Sequence, residues 1–280
     1  MQRRMTDYLE HPFDDWAAIA ADYDELPLWS APFGQLLLEH VPLRRGMRVL
    51  DLACGTGFPL LELAPRLGPT AFAVGVDPWR AGMLRASSKR RAHRIANAVA
   101  VIADAAKLPL RSDSIDLIVS NLGVNNLADA DAALAECARV AKSGGVLALS
   151  TNLRGHWSEL YAVFEQTLRE LGRDDLLPKL RTHVDHRSTV DSVRALAGRH
   201  GFSTRRVIES RFAMRFLDGS AFLRHYFVRL GFLPAWRELL PQAAERAVFE
   251  RLEANLNALA QRDGALALGV PMAYVECERA

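Results

Sequence analysis

Cysteine is scarce in this chain: 3 in 280 residues, at Cys54, Cys137 and Cys277, with no metal-type spacing among them. So sparse and odd a count argues against a disulfide framework and a zinc site, and for a reducing compartment. Neither sign of charge is in excess, since 35 Lys and Arg against 33 Asp and Glu leave a net charge of +2. That balance by itself supports neither a nucleic-acid face nor an anionic membrane as partner. Long apolar runs are missing too. The longest, residues 265–275, is interrupted by Gly269 and Pro271 and is too short to span a bilayer. The first residues carry Asp7, Glu10, Asp14 and Asp15 and no signal-peptide core, so the expected location is the cytoplasm. Internal repeats and low-complexity stretches are absent. What remains is an ordinary globular balance, 50% hydrophobic and 24% charged, long enough for one domain with a smaller subdomain.

The information concentrates in residues 46–58. An apolar run (Met47, Val49, Leu50, Leu52) carries Asp51 near its end and breaks into Gly55-Thr56-Gly57. Pro59 follows, and Leu60, Leu61, Leu63, Ala64 and Leu67 recur at helical spacing. The pattern reads as strand, glycine turn and helix, with Pro59 in the first turn, where a missing N–H costs nothing. Glycines there let the backbone approach a ligand closely. A dinucleotide loop would place a third glycine where Leu60 stands. Asp51 would also repel a pyrophosphate, whereas a ligand bearing an ammonium or sulfonium gains from it. Cys54, inside the turn, reads as packing rather than chemistry.

Residues 14–40 read as one or two helices, with Trp16, Ile19, Ala20 and Tyr23 on one stripe and a bend at Pro27 and Pro32. This leading segment is expected over the mouth of the ligand site. Apolar strands are then expected at 49–53, 71–76, 98–103, 115–120 and 146–150. Helical stretches at 60–67, 80–96 and 129–140 separate them, and Gly144-Gly145 breaks the chain before the fifth strand. Such alternation describes a parallel sheet covered on both faces. Beyond Thr151 it stops: helices are expected at 159–171 and 189–200, strands at 204–216 and 266–277. Between the late strands a helical block, 218–262, reads as an insertion with an aromatic stripe from Phe222 to Trp236. The expected domains are therefore a lid segment 1–44, a core of 45–217 with 263–280, and a substrate cap 218–262.

In open α/β sheets ligands bind at the carboxyl ends of the strands. In order those ends carry Asp51 with the glycine turn, Asp77, Asp104, and Asn121-Leu122-Gly123. A carboxylate at Asp77 can accept from a ribose diol, and one at Asp104 from an exocyclic adenine amine. Pro78, Trp79, Met83 and Leu84 offer apolar contact to a purine face. Singly, each acid is more often a turn former or helix cap. As a row they point to one ligand.

These stretches, Asp51-Leu-Ala53-Cys-Gly55-Thr-Gly57, Val76-Asp77-Pro78-Trp-Arg-Ala-Gly-Met83-Leu84, Ala103-Asp104-Ala105 and Ile115-Asp116-Leu-Ile-Val-Ser-Asn121, resemble the ordered motifs of class I S-adenosylmethionine-dependent methyltransferases. The resemblance covers about residues 45–153. It implies a three-layer α/β/α, Rossmann-like fold whose seven-stranded, mostly parallel sheet has an antiparallel last strand. It also implies that Asp51, Ala53, Gly55 and Gly57 meet the methionine part of the cofactor. By the same resemblance Asp77 and Pro78 lie at the ribose, Met83, Asp104 and Ala105 at the adenine, Asn121 and Leu122 at the sulfonium, and Tyr23 at the carboxylate. On charge grounds, strand-end acids with no Lys or Arg in the turn suit a cationic nucleoside.

The acceptor is less legible. Nitrogen methylation of planar bases often uses an Asn/Asp-Pro-Pro-aromatic motif after the fourth strand; Asn121-Leu122-Gly123-Val124-Asn125-Asn126 stands there instead. A small metabolite against Trp29, Phe33, Asn125 and Tyr226 is the leading reading, methylated on O, N or C. The bland reading of the aromatic stripe is a core of its own. His156, His183, His186, His225 and Tyr274 are candidate bases, but lone histidines are more often structural, so no side chain is assigned as catalytic. Arginine clusters at 80–94 and 199–215 read as solvated faces more readily than as an RNA surface. A non-catalytic cofactor-binding module and an RNA methyltransferase are the alternatives.

Overall fold

The computed structural model describes residues 7–10, 15–23 and 29–280; the bend expected at Pro27 and the side chain of Trp16 lie outside that description. In chain order come a 3₁₀ turn Asp7–Leu9, then α1 Trp16–Asp22, α2 Ser30–His40, β1 Arg48–Leu52, α3 Leu60–Leu67, β2 Phe72–Asp77, α4 Arg80–Ala92, β3 Ala98–Ile102, β4 Ile115–Asn121, α5 Ala130–Val140 and β5 Ala141–Asn152. They are followed by α6 Ser158–Glu170, α7 Leu177–Asp185, α8 Val190–Arg199, β6 Phe202–Phe216, α9 Gly219–Arg224, α10 Tyr226–Gly231, α11 Leu233–Glu238, α12 Gln242–Asp263 and β7 Leu266–Arg279. No helix among the described residues is long and apolar enough to cross a membrane.

The seven strands form one sheet in the order β3-β2-β1-β4-β5-β7-β6. Strands β1 to β5 pair in parallel, and β7 runs antiparallel to β5. This is the Rossmann-like methyltransferase sheet that the alternation of apolar runs and helices implies. Chain direction across the sheet reverses between β1 and β4, so their carboxyl ends flank a crevice where a ligand can enter. The strands are apolar almost without interruption because both faces are covered: Val49, Leu50, Leu52, Leu117, Ile118 and Val119 are fully buried. Each such side chain contributes roughly 1.5–3 kcal/mol of burial. In one respect the strands differ from expectation. Gly144-Gly145 does not precede β5 but lies within it, where the register with β4 shifts between Ile115 and Leu117.

The chain divides into two compact units. The sheet unit comprises residues 16–153, 188–210 and 272–280; the helical unit comprises the described residues up to Asp15, with 154–187 and 211–271. The boundaries read from sequence, at 45, 218 and 263, fall elsewhere. Helices α1 and α2 belong with the sheet, where α1 packs on α4 and α2 on β4 and β5. Helices α6 and α7 instead pack in the helical unit, α6 directly on α12. Amphipathic spacing shows that a helix has an apolar face, not which neighbour covers it.

Inside the helical unit, the aromatic stripe of 222–240 is split over α9, α10 and α11, and its bulk forms the unit's own core. Trp157, Phe164, Phe222, Trp236 and Phe249 are fully buried. The rings of Trp157 and Phe232 lie 4.3 Å apart, and Phe222 meets Trp157 edge-on at 5.3 Å. Trp236 Nε1 donates to the Tyr161 hydroxyl at 3.2 Å, as a buried indole N–H requires.

Candidate active site

The turn after β1 is shaped by positive φ angles at Ala53 (58°), Gly55 (51°) and Gly57 (100°). A side chain at Gly57 would sit 2.9 Å from Leu61 Cδ1 and 3.1 Å from Ala86 Cβ, so the turn presses directly on α3 and α4. Cys54 is buried, and its thiol contacts Met83 Sδ at 3.6 Å. Burial, with Asp51 and Asp77 nearby, pushes that thiol well above its usual range. It packs; a thiolate nucleophile is not on offer.

Asp51 and Asp77 divide the labour of the strand ends. Asp51 is turned inward, 1% exposed, and its Oδ2 accepts from the Leu60 N–H at 2.7 Å, the start of α3. Its Oδ1 has no hydrogen-bond partner among the described residues. Burial drives this carboxyl well above the usual carboxylate range; the Leu60 N–H opposes the shift and the charge of Asp77 adds to it. Asp77, by contrast, faces the crevice. Its Oδ2 accepts from Gly55 N–H at 2.9 Å and its Oδ1 from Trp79 N–H at 2.8 Å. Each oxygen keeps a second lone pair for a ligand.

At the tip of β4, Ser120 Oγ donates to Leu52 O at 2.9 Å and Asn121 accepts from Ser150 Oγ at 2.6 Å. The Asn121 amide donates to Ser30 O at 3.3 Å, which ties the start of α2 to the strand end. Leu122 holds φ 62°, an uncommon angle for a branched side chain. Gly123 has no room for a side chain, since one would lie 2.5 Å from Ser120 Oγ and 2.7 Å from Ala53 Cβ. Strained backbone on both sides of a crevice is a common mark of a ligand site.

A cavity of about 490 Å³ opens there, within the range of small-molecule sites. Seven residues expected at the site line it: Tyr23, Trp29, Ala53, Gly55, Asp77, Asn121 and Leu122. Trp79, expected as an apolar contact, lines it too, and its ring stands edge-on to Tyr23 at 5.4 Å. Thus the first turn, the β2 acid and the β4 tip share one cavity, as one ligand needs.

Other expected residues lie elsewhere. Asp51 and Met83 are buried beneath the turn. Gly57 packs against α3 and α4. Pro78 points to solvent beside Asp77. Asp104 is exposed and accepts from its own Ala106 N–H at 2.9 Å, while Ala105 is in the sheet core. Phe33 is fully buried behind Trp29, ring centroids 5.2 Å apart. Asn125 is held by Thr151 at 2.7 Å and by Asn152 at 2.5 Å, outside the lining. Tyr226 is in α10 of the helical unit and is not a lining residue. Leu84 is largely exposed.

The lining also holds residues that sequence reading passed over, chiefly Ser30, Thr56, Phe58, Lys89 and Asn126. Phe58 had a signal, its place inside the turn; its ring stands where a side chain on Gly34 would lie, 2.1 Å away. Lys89 had a subtler one. It follows Met83 and Ala86 at three-residue steps, and both of those face the turn. The candidate bases stand apart from the cavity: His156 stacks on Trp157 at 4.4 Å, His183 meets the Tyr161 hydroxyl at 3.3 Å, and Tyr274 donates to Glu276 at 2.5 Å. The later arginine cluster is spent on ion pairs, Arg199 with Asp131, Arg205 with Glu278, Arg206 with Glu276 and Arg211 with Glu159.

Comparison with known proteins agrees with this geometry. A family described as "Methyltransferase domain" matches residues 43–192. Demethylmenaquinone methyltransferase of Staphylococcus aureus (strain JH9) is 33% identical over 111 residues, 40% of this chain and 45% of the relative. The match thus spans less than half of that relative's length. Among crystal structures, the YcgJ protein of Bacillus subtilis superposes with a TM-score of 0.59 at 18% identity, covering 89% of this chain and 98% of that one. A SAM-dependent methyltransferase of Aquifex aeolicus gives 0.54 at 20% identity, over 70% and 92%. At such identities the likeness is one of fold. With the family match spanning more than half of its length, the chain belongs to the class I S-adenosylmethionine-dependent methyltransferases.

Proposed function

We propose that this protein moves the methyl group of S-adenosylmethionine to an O, N or C atom of a small-molecule acceptor by in-line displacement. The observation that carries the reading is the meeting of the β1 turn, Asp77 and the β4 tip in one cavity at the sheet's switch point. The residues present fit the cofactor. Asp77 has two spare lone pairs for vicinal hydroxyls, Trp79 and Tyr23 offer an apolar wall, and Gly55 lets the backbone come close.

When bound, the cofactor supplies a methyl already activated by a cationic sulfonium. The protein's part is therefore positional. Asp77 fixes the ribose, and the Gly55 N–H holds that carboxylate in place. Asn121 and Leu122 wall the other end, where Trp29 and Ser30 of the α2 entry exclude water; charge dispersal in the transition state favours a dry site. The segment that carries Tyr23, Trp29, Ser30 and Ala31 serves as the lid. Pairing of Arg199, Arg205, Arg206 and Arg211 with carboxylates speaks against an RNA surface in that cluster.

Titration calorimetry with S-adenosylmethionine and S-adenosylhomocysteine tests the cofactor assignment; micromolar binding of either is expected, and silence from both at millimolar concentration sinks it. A labelled-methyl transfer screen over metabolite pools then identifies the acceptor.

A further inference from the structure

The cavity is not electrostatically uniform. Among its described lining residues Asp77 is the one carboxylate and Lys89 the one cation. Lys89 does not come from the turn, which has no basic residue, but from α4. The face of α4 that presents it is fixed against the turn at two earlier points: Met83 touches Cys54, and Ala86 stands where a side chain on Gly57 would go. One helical turn beyond Ala86, the Lys89 stem follows the same face, and its flexible reach brings the ammonium into the wall beside Gly55 and Thr56. Its field is also felt at the Cys54 thiol, where it opposes the upward pull of Asp51 and Asp77.

The ligand proposed above carries charge in three places: a sulfonium, an ammonium and an α-carboxylate. Its carboxylate needs a cation or backbone N–H groups, and placing it among Asp51 and Asp77 without either would be repulsive. We infer that Lys89 is a cofactor-specificity residue that takes the α-carboxylate of the amino-acid tail, while Asp77 takes the ribose at the opposite wall. This rests on the cofactor reading and goes beyond it: the site selects a nucleoside with an intact amino-acid tail over one whose tail is clipped or decarboxylated.

The test compares S-adenosylhomocysteine, its α-carboxamide and 5′-methylthioadenosine by calorimetry, on the full chain and on Lys89→Met and Lys89→Arg. In the unaltered protein the carboxamide should bind roughly 10- to 100-fold more weakly than the acid, the range for a charged hydrogen bond. Lys89→Met should weaken the acid by a similar factor and leave 5′-methylthioadenosine unchanged; Lys89→Arg should restore most of the loss. The penalty should also shrink in high salt. Equal weakening of all three ligands by Lys89→Met would make Lys89 a structural neighbour of the turn, and no change at all would remove it from the site. Either result overturns the assignment. Because acid and carboxamide are compared on the unaltered chain, the conclusion survives a variant that fails to fold. If the unaltered chain binds none of the three, the cofactor reading itself fails and this inference with it.

Discussion

The Gly55 N–H donates to Asp77 Oδ2 at 2.9 Å across 22 residues of sequence, so the turn after β1 and the acid after β2 are one device. Substituting either residue disturbs the other. Asp77→Ala should weaken S-adenosylhomocysteine by about 1–3 kcal/mol. It also strips the Gly55 and Trp79 N–H groups of their acceptor, so a stability loss of about 1–3 kcal/mol should appear in urea unfolding. Asp77→Asn, which keeps one acceptor oxygen, should lose less of both. Unchanged binding with the fold intact would remove the ribose assignment.

Gly123→Ala tests how closely the β4 tip meets the β1 turn. The new methyl would crowd Ser120 Oγ, Ala53 Cβ and Leu52 O, all within 2.9 Å. We expect about 1–3 kcal/mol of destabilisation and weaker cofactor binding, because Ala53 must move. A variant with wild-type melting and binding would mean that the tip and the turn are not in contact.

Buried Asp51 sets a pH dependence of definite sign. Its folded-state value is raised above the ordinary 3.8, so its favourable contribution is complete below that pH and is lost as pH rises through the folded value. At neutral pH Asp51 therefore works against the ligand-free fold. Asp51→Asn, whose side-chain oxygen can still accept from Leu60, should be more stable than wild type, by a margin that grows as pH is raised from 4 to 8. Parallel stability curves for the two proteins would contradict this.

Two imidazoles in the helical unit act in the other direction. Burial and Arg187 depress His156 well below 6.5, and burial with Arg187 and His186 brings His183 to about 4. A base with a depressed folded-state value contributes stability that is present above 6.5 and lost as pH falls through the folded value. Denaturant midpoints should thus drop between pH 6.5 and 4, and His156→Phe or His183→Gln should flatten that slope. The stacking of His156 on Phe232 at 5.5 Å makes phenylalanine a fitting replacement.

Glu253 is the buried acid of the helical unit, 3% exposed, and its Oε1 accepts from Arg224 at 2.7 Å and from Ser220 at 2.6 Å. Arg224→Met should cost about 3 kcal/mol, because a buried carboxylate loses its cation. Adding Glu253→Gln should recover part of that loss in a double-mutant cycle. Simple additivity of the two changes would deny the coupling.

Much of this was legible in advance. Strand positions, the turn with Gly55 and Gly57, and Asp77 at a strand end follow from apolar period and spacing, which the backbone alone enforces. Tyr23 and Trp29 were legible as aromatics leading into the sheet. Asp51 and Asp104 look alike in sequence, each an acid at a strand end, yet one is sealed under α3 and the other is in solvent. Lys89 reads as one of six basic residues on a polar stretch, and only packing sets it at the turn.

By itself, then, the sequence determined the order of strands and helices, the sharp turn at the first strand's end and the family it belongs to, because these depend on local torsions and on which side of an element is apolar. Tertiary structure alone decided which acid faces the ligand, which helix lends the cavity its cation and where the chain divides into two units. Those outcomes turn on contacts between residues far apart in the chain, and such contacts leave no periodic trace.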